Sequence, residues 1–254
     1  MQLNYKESGQ GLPIVALHGV FGSSDNWVSI SKSLSSNFKV YLVDQRNHGQ
    51  SFHSDEFTYD LLAQDLYELV TSLNLEKFIL LGHSMGGKVA MKFASLYPQS
   101  LLKLIVVDIS PKFYKRHHDD ILNGLSSLQL DKLQSRQEAD QALSKYVPEI
   151  GIRQFLLKNL YRKENNQFAW RLNLATLKDK IDNVGEALDE GVSISVPTLF
   201  IKGAKSRYIK EEDEILISKL FTRFEIATIP DAGHWVQAEK PQEFLKVVTK
   251  FITA

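Results

Sequence analysis

Leu80 to Val89 read LLGHSMGGKV, a serine between a histidine and a methionine with a glycine two residues away on either side. The apolar run KFILLG (Lys77 to Gly82) precedes the serine. A helical pattern with Val89, Phe93 and Leu96 at three- and four-residue spacing follows it until Pro98 stops the helix. The stretch therefore reads as a strand-to-helix turn of the form G-x-S-x-G. A turn this sharp holds its central residue in strained backbone, and side chains at its flanks would collide, so both flanks are glycine. It lifts the Ser84 hydroxyl out at the carboxyl end of the strand, where open α/β sheets bind ligands. It also aims the Met85 N–H and the positive end of the helix dipole at a developing oxyanion. The strand before and helix after weigh against the blander reading, a glycine-rich turn with a capping serine.

Working outward, similar apolar runs recur: PIVALH (Pro13 to His18), KVYLVD (Lys39 to Asp44), KLIVVD (Lys103 to Asp108), VPTLFIKG (Val196 to Gly203) and FEIATIP (Phe224 to Pro230). They are continuous rather than alternating, as strands buried on both faces of a parallel sheet should be. Helical patterns separate them, such as Tyr59 to Leu73 with Leu62, Leu66, Leu69, Val70 and Leu73 on one face. Strand alternating with helix predicts an α/β fold with a mostly parallel, doubly wound sheet. The rhythm breaks once. From about Pro111 to Ser195 the patterns are helical, which predicts an inserted helical cap over 111–195 between core segments 1–110 and 196–254. The alternative there is a strand hidden in FAWRLN (Phe168 to Asn173).

Composition narrows the function. The 254 residues carry 30 Lys plus Arg against 30 Asp plus Glu, so no net field draws the chain to nucleic acid or an anionic membrane. The short basic cluster KFYKRHH (Lys112 to His118) reads as a solvated face. The absence of cysteine rules out disulfides and thiol catalysis. No signal-peptide core, membrane-length apolar run, repeat or low-complexity tract is apparent, which predicts a soluble, cytoplasmic protein without stable membrane insertion. Oligomeric state is not readable.

A serine hydroxyl needs a base. Of seven histidines, His234 in IPDAGHW is the candidate, because it follows the last strand and precedes the final helix and so reaches the same sheet edge. His83 lies on the elbow itself, where its ring packs under the loop. His18 and His48 sit in turns and read as structural, and His53, His117 and His118 as surface residues. A second oxyanion donor should come from the glycine loop after an early strand, HGVFG (His18 to Gly22). Its main chain offers the N–H of Val20, with Phe21 as the neighbouring candidate.

HGVFG, DQRNHGQS, GHSMGGK, VVDISP and GHWVQAEKP, in this order over essentially the whole chain, resemble the α/β-hydrolase superfamily, and within it the YbfF-type carboxylesterases and abhydrolase-domain-11 proteins. The resemblance implies ester or thioester hydrolysis through Ser84 and His234 on a small acyl substrate, with no metal or organic cofactor. It also exposes a departure. Most members carry the acid in a G-x-x-D pattern after the penultimate strand, and here Gly203-Ala204-Lys205-Ser206 puts a serine in that place. Glu211, Glu212 and Asp213 read as solvated or helix-capping, and Asp231 as a turn residue. Asp108, ending the strand after the serine's helix, is topologically reachable, and a triad is defined by geometry rather than by sequence position. The resemblance pairs such an aspartate with a serine at the Ser206 place. Asp108 is therefore assigned to orient His234 and Ser206 to assist by hydrogen bonding; the competing role for Asp108 is a loop cap before Ser110-Pro111. Asp44 and Arg46 organise the DQRNHG turn. Phe113, Tyr114, Leu122, Leu125, Phe155, Leu156, Tyr161 and Trp170 are residues that either line an acyl pocket or pack the cap onto the core. The expected activity is that of a carboxylesterase on short- and medium-chain acyl esters. An acyl-CoA thioesterase, a lipase-like or carbon–carbon hydrolase, and a non-catalytic ligand-binding protein on the same fold are the alternatives.

Overall fold

The computed structural model describes residues 2–254. Its strands are β1 (Tyr5–Ser8), β2 (Leu12–Leu17), β3 (Phe38–Val43), β4 (Phe78–His83), β5 (Leu101–Val107), β6 (Leu160–Arg162), β7 (Phe168–Trp170), β8 (Thr198–Gly203) and β9 (Phe224–Ile229). Its helices are α1 (Val28–Leu34), α2 (Tyr59–Ser72), α3 (Met85–Leu96), α4 (Asp119–Ser127), α5 (Arg136–Leu143), α6 (Ile150–Leu157), α7 (Leu174–Asp179), α8 (Asp213–Leu220), α9 (Val236–Glu239) and α10 (Pro241–Thr253). Seven strands form one sheet in the order β1-β3-β2-β4-β5-β8-β9, parallel throughout except for β1 against β3. All six apolar runs named above are strands of this sheet. β1 is not among them, because YKES is a short, half-exposed edge strand without an apolar run.

Alternating side chains explain why the runs are continuous. Val15, Leu17, Leu80, Leu104, Val106 and Phe200 point to one face, where they meet Leu62, Leu66, Val89 and Phe93 of α2 and α3. Ile14, Ala16, Leu81, Ile105, Val107 and Ile201 point to the other, against Ile30 and Leu34 of α1 and Phe244 and Val248 of α10. The inner strands β2, β4, β5 and β8 are thus apolar on both sides, as a sheet between two helical layers requires. Register aligns the carboxyl ends: Leu17 pairs with Val43 and Gly82, His83 with Val107, and Gly203 with Ile229. The loops leaving these positions share one edge of the sheet.

Between β5 and β8 the chain leaves the sheet for α4 to α7 and a two-stranded antiparallel hairpin, β6 with β7. The segment is therefore not wholly helical. Phe168–Trp170 is a strand, as the alternative reading of FAWRLN had it, but it pairs with Leu160–Arg162 outside the main sheet. Three residues per strand give too short an apolar pattern to read. Leu122, Leu125, Leu143, Leu156 and Leu160 share one buried cluster with the sheet and α2–α3. Polar ties add to this packing. Tyr59 donates to the Val184 carbonyl at 2.7 Å, and Asn173 Nδ2 donates to Asn47 Oδ1 at 3.0 Å. Lys88 of α3, 2 % exposed, donates to the Lys112 and Glu186 carbonyls, where the segment enters and leaves. Burial lowers its ammonium to about 7. Among the described residues, no helix is long and apolar enough to cross a membrane.

Candidate active site

Ser84 joins β4 to α3 with φ 52° and ψ −120°, a left-handed conformation that strains any residue with a side chain. Its neighbours show why this turn needs glycine. A Cβ on Gly82 would lie 2.2 Å from the Gly86 carbonyl oxygen, and one on Gly86 would lie 2.5 Å from the carbonyl oxygen of His18. Both obstacles are backbone, which has nowhere to go. The Ser84 N–H donates to the Val107 carbonyl at 2.9 Å, fixing the elbow to β5. Met85 opens α3, so its N–H is among the donors that a helix start leaves without an intrahelical acceptor.

His234 lies in the loop between β9 and α9, and its Nδ1 is 2.7 Å from Asp108 Oδ2. Asp108 follows β5 directly, is fully buried, and has φ 51°. Its Oδ1 accepts from the Gly203 N–H at 3.1 Å, and its Oδ2 accepts from the Ser206 hydroxyl as well as from His234. The bond to a carboxylate makes Nδ1 the protonated nitrogen and leaves Nε2 as the basic one. The structure thus brings Asp108, Ser206 and His234 together from three loops that adjoin in space and are far apart in sequence. Ser84 and His234 line the same cavity; among the described residues no hydrogen bond joins them. In such sites that bond is often loose until substrate is bound.

The rival acids are elsewhere. Asp231 is exposed and pairs with Lys205 at 3.0 Å. Asp213 is not solvated: it is 5 % exposed and accepts from Lys112 Nζ at 2.6 Å and from the Lys210 N–H at 2.8 Å, at the start of α8.

The glycine loop after β2 divides its two candidate donors. The Phe21 N–H is already given to His48 Nε2 at 3.2 Å, and the Phe21 carbonyl accepts from Asn159 Nδ2 at 2.7 Å. With its N–H engaged, Phe21 is corrected from oxyanion candidate to loop anchor, which leaves Val20, lining the cavity beside it, as the candidate donor of this loop. His48 Nδ1 donates in turn to the Arg46 carbonyl, and burial lowers His48 to about 3, so it stays the neutral acceptor the loop needs. His18 accepts from the Gln45 N–H at 3.1 Å and is likewise lowered by burial. Asp44 accepts from the Ser24 and Gln50 N–H groups, and Arg46 pairs with Asp65. The structural reading of these turn residues agrees with their positions.

The cavity measures about 310 Å³ and is lined by Gly19, Val20, Phe21, His83, Ser84, His117, His118, Ile121, Ile152, Phe155, Tyr208, His234 and Trp235. Sequence reading placed His117 and His118 on the surface; His117 is exposed, as expected, whereas His118 is largely buried, and this corrects the reading of His118. Both line the cavity, and Lys115 and Arg116 reach a smaller one beside Ser84 and Met85, so KFYKRHH is only partly a solvated face. Burial lowers His118 to about 3. Of the aromatic and apolar candidates, Phe155 lines the main cavity and Tyr114 the smaller one. Leu122, Leu125 and Leu156 pack in the core, and Phe113 faces solvent.

Three positioning contacts escaped sequence reading. His83 is buried and its Nε2 lies 2.9 Å from the His234 carbonyl. Glu239 accepts from the N–H groups on both sides of His234, those of Gly233 at 2.7 Å and Trp235 at 3.2 Å. An acid in the first turn of a helix reaching back to preceding N–H groups is a known end signal, and Glu239 in GHWVQAE carries it. Tyr208 stacks on the His234 ring, with centroids 4.0 Å apart and planes at 19°. Among the described residues, no group of three or more His, Cys, Asp or Glu is arranged to hold a metal ion.

A sheet of this order with such an elbow at its carboxyl edge defines one class of protein, the α/β-hydrolases. A family model described as the alpha/beta hydrolase fold matches residues 13–129. The mouse (Mus musculus) sn-1-specific diacylglycerol lipase ABHD11 is 40% identical over 99% of this chain and 85% of its own length. Esterase YbfF of Escherichia coli is 33% identical over 94% of this chain and 92% of its own length. A solved marine microorganism esterase superposes with a TM-score of 0.96 at 39% identity, covering 98% of this chain and 99% of that one. The chain belongs to the α/β-hydrolase family, among its esterase/lipase-type hydrolases.

Proposed function

We propose that the protein is a serine carboxylesterase that cleaves short- and medium-chain acyl esters through an acyl-enzyme on Ser84. The observation that carries this is the 2.7 Å contact of His234 Nδ1 with Asp108 at the edge of the cavity that holds the strained Ser84. Ser84 Oγ attacks the ester carbonyl carbon while His234 Nε2 takes its proton, and Asp108 holds the imidazole and stabilises the imidazolium. The N–H groups of Val20 and Met85 receive the oxyanion. The carbonyl–alkoxide bond then breaks, and Nε2 returns its proton to the leaving oxygen as alcohol. Water attacks the acyl-enzyme, its proton passes through Nε2 to Ser84 Oγ, and the carboxylic acid departs. No step calls for a metal or organic cofactor.

Residues 111–195 act in this reading as a cap over Ser84, contributing Ile121, Ile152, Phe155, His117 and His118 to the cavity wall. At about 310 Å³ the cavity sits at the small end of ligand pockets, which favours short and medium acyl chains. Apolar walls discriminate chain length by only about 1 to 3 kcal/mol per methylene, so activity is broad. The name of the mouse relative makes a diacylglycerol lipase the second reading.

The test is a panel of p-nitrophenyl esters, acyl-CoA thioesters and diacylglycerols run on wild type beside Ser84→Ala, with fluorophosphonate labelling of both. Rapid turnover of C2 to C8 aryl esters, abolished in Ser84→Ala, is the expected result. Preference for thioesters or diacylglycerol would move the assignment to those reactions, and folded wild type that neither labels nor turns over would leave a ligand-binding protein.

A further inference from the structure

Tyr208 lies in the loop after β8, two residues beyond Ser206, and is fastened at three points. Its N–H donates to Ser206 Oγ at 3.2 Å, its carbonyl accepts from the Tyr114 hydroxyl, and its own hydroxyl is 2.7 Å from His117 Nε2. His117 Nδ1 is 3.0 Å from the Lys115 carbonyl, so Nδ1 carries the proton and Nε2 accepts from Tyr208. Tyr114 is held in turn by accepting from the Ser110 N–H at 2.8 Å. Two of the three fastenings therefore come from the stretch 114–117, where the chain enters the cap. The face so held lies almost parallel to the His234 imidazole at 4.0 Å.

We propose that Tyr208 is a positioning residue for His234, whose ring fixes the imidazole plane and favours the imidazolium, and whose hydroxyl ties that support to the cap through His117. This rests on the reading of His234 as the general base. A neutral imidazole gains only packing from a phenol face, whereas the imidazolium also gains the attraction of a cation for the ring's negative face. The gain grows as His234 takes the serine proton, so it favours the transition state over the ground state.

The other groups facing His234 leave this effect readable. Asp108 bonds its Nδ1, and the His83 ring lies 4.7 Å away at 44°. Burial lowers His83 well below the ordinary histidine range and His118 to about 3, so neither brings a second positive charge near neutral pH. Burial, with Asp108 adding, pushes the Tyr208 phenol up to about 12, so its hydroxyl stays a donor across the working range.

The experiment compares pH profiles of kcat and kcat/KM on one aryl ester for wild type, Tyr208→Phe, Tyr208→Leu, His117→Ala and the double variant Tyr208→Phe/His117→Ala, with His234→Ala as reference. Circular dichroism checks the fold, and Tyr208→Met replaces the leucine variant if that fails to fold. Tyr208→Leu is expected to lower kcat about 3- to 30-fold with KM little changed. The acid limb of its kcat/KM profile should move to lower pH by about half to one unit. Tyr208→Phe keeps the ring, so its acid limb should stay in place with a loss of about threefold or less. His117→Ala should match it, and the double variant should lose no more than either single one. A folded Tyr208→Leu whose acid limb does not move overturns the proposal, whatever its kcat, since support by packing alone would leave that limb in place. Full activity in His234→Ala would instead overturn the base assignment beneath it, so the two failures are told apart.

Discussion

Asp108 Oδ2 receives both the His234 Nδ1–H and the Ser206 hydroxyl, and this sharing ranks the substitutions around the candidate site. Asp108→Asn puts an N–H where the imidazole needs an acceptor and should lower kcat by about 10³- to 10⁴-fold. Ser206→Ala removes one of three donors to the carboxylate and leaves those of His234 and Gly203 in place. It should cost only about tenfold. Steady-state turnover of an aryl ester measures both, and a crippled Ser206→Ala beside a nearly silent Asp108→Asn would refute the assignment. At this scale the residues proposed for chemical roles were those the sequence marks. Ser84 announces itself through its glycines, His234 through its place after a strand, and Asp108 through its strand end. Residues that act by touching those groups were not. His117 and Tyr208 have no motif of their own, and HGVFG marks Phe21 without showing that its N–H is engaged, because a stack or an engaged N–H depends on which loops meet.

The elbow is the element on which the site turns, and its glycines differ sharply from glycines elsewhere. Gly82→Ala drives a methyl to 2.2 Å from a backbone oxygen, and it should destabilise the fold by several kcal/mol while abolishing turnover. Gly151 in α6 has nothing within 4 Å of the same methyl position. Gly151→Ala should be neutral or stabilising by up to about 1 kcal/mol. Urea unfolding of the two variants beside wild type checks the contrast; equal effects would show that the elbow's packing is not the cause. The inner strands β2, β4, β5 and β8 were legible as elements because each is buried on both faces and spells a continuous apolar run. The edge strand β1 is short and half exposed, and the strands of the hairpin β6–β7 have three residues each, so no such run marks them.

Over the whole molecule, histidines that the fold keeps neutral couple stability to pH. His48 is lowered to about 3 chiefly by burial, with His18 adding to the effect, and His18 and His83 are shifted in the same direction. The unfolded chain takes up these protons as pH falls below about 6.5, while the folded chain does not. Stability from neutral His48 is therefore complete above that pH and is lost as pH falls toward 3. By pH 5 the loss from His48 alone is about 2 kcal/mol. Urea unfolding at pH 7.5, 6 and 5 should show it, with a shallower decline in His48→Gln; a free energy unchanged over that range would contradict it. The chain by itself determined the class of fold, the order of the core strands along the sequence and the place of the serine elbow at their carboxyl edge. Apolar periodicity and glycine placement are local properties that a sequence carries outright. Tertiary structure alone decided which backbone N–H of the glycine loop is free, which residues between β5 and β8 wall the cavity, and how the His234 ring is held. Those outcomes are set by distances between segments far apart in the chain. LLGHSMGGKV thus located the serine, and the meeting of five loops settled what surrounds it.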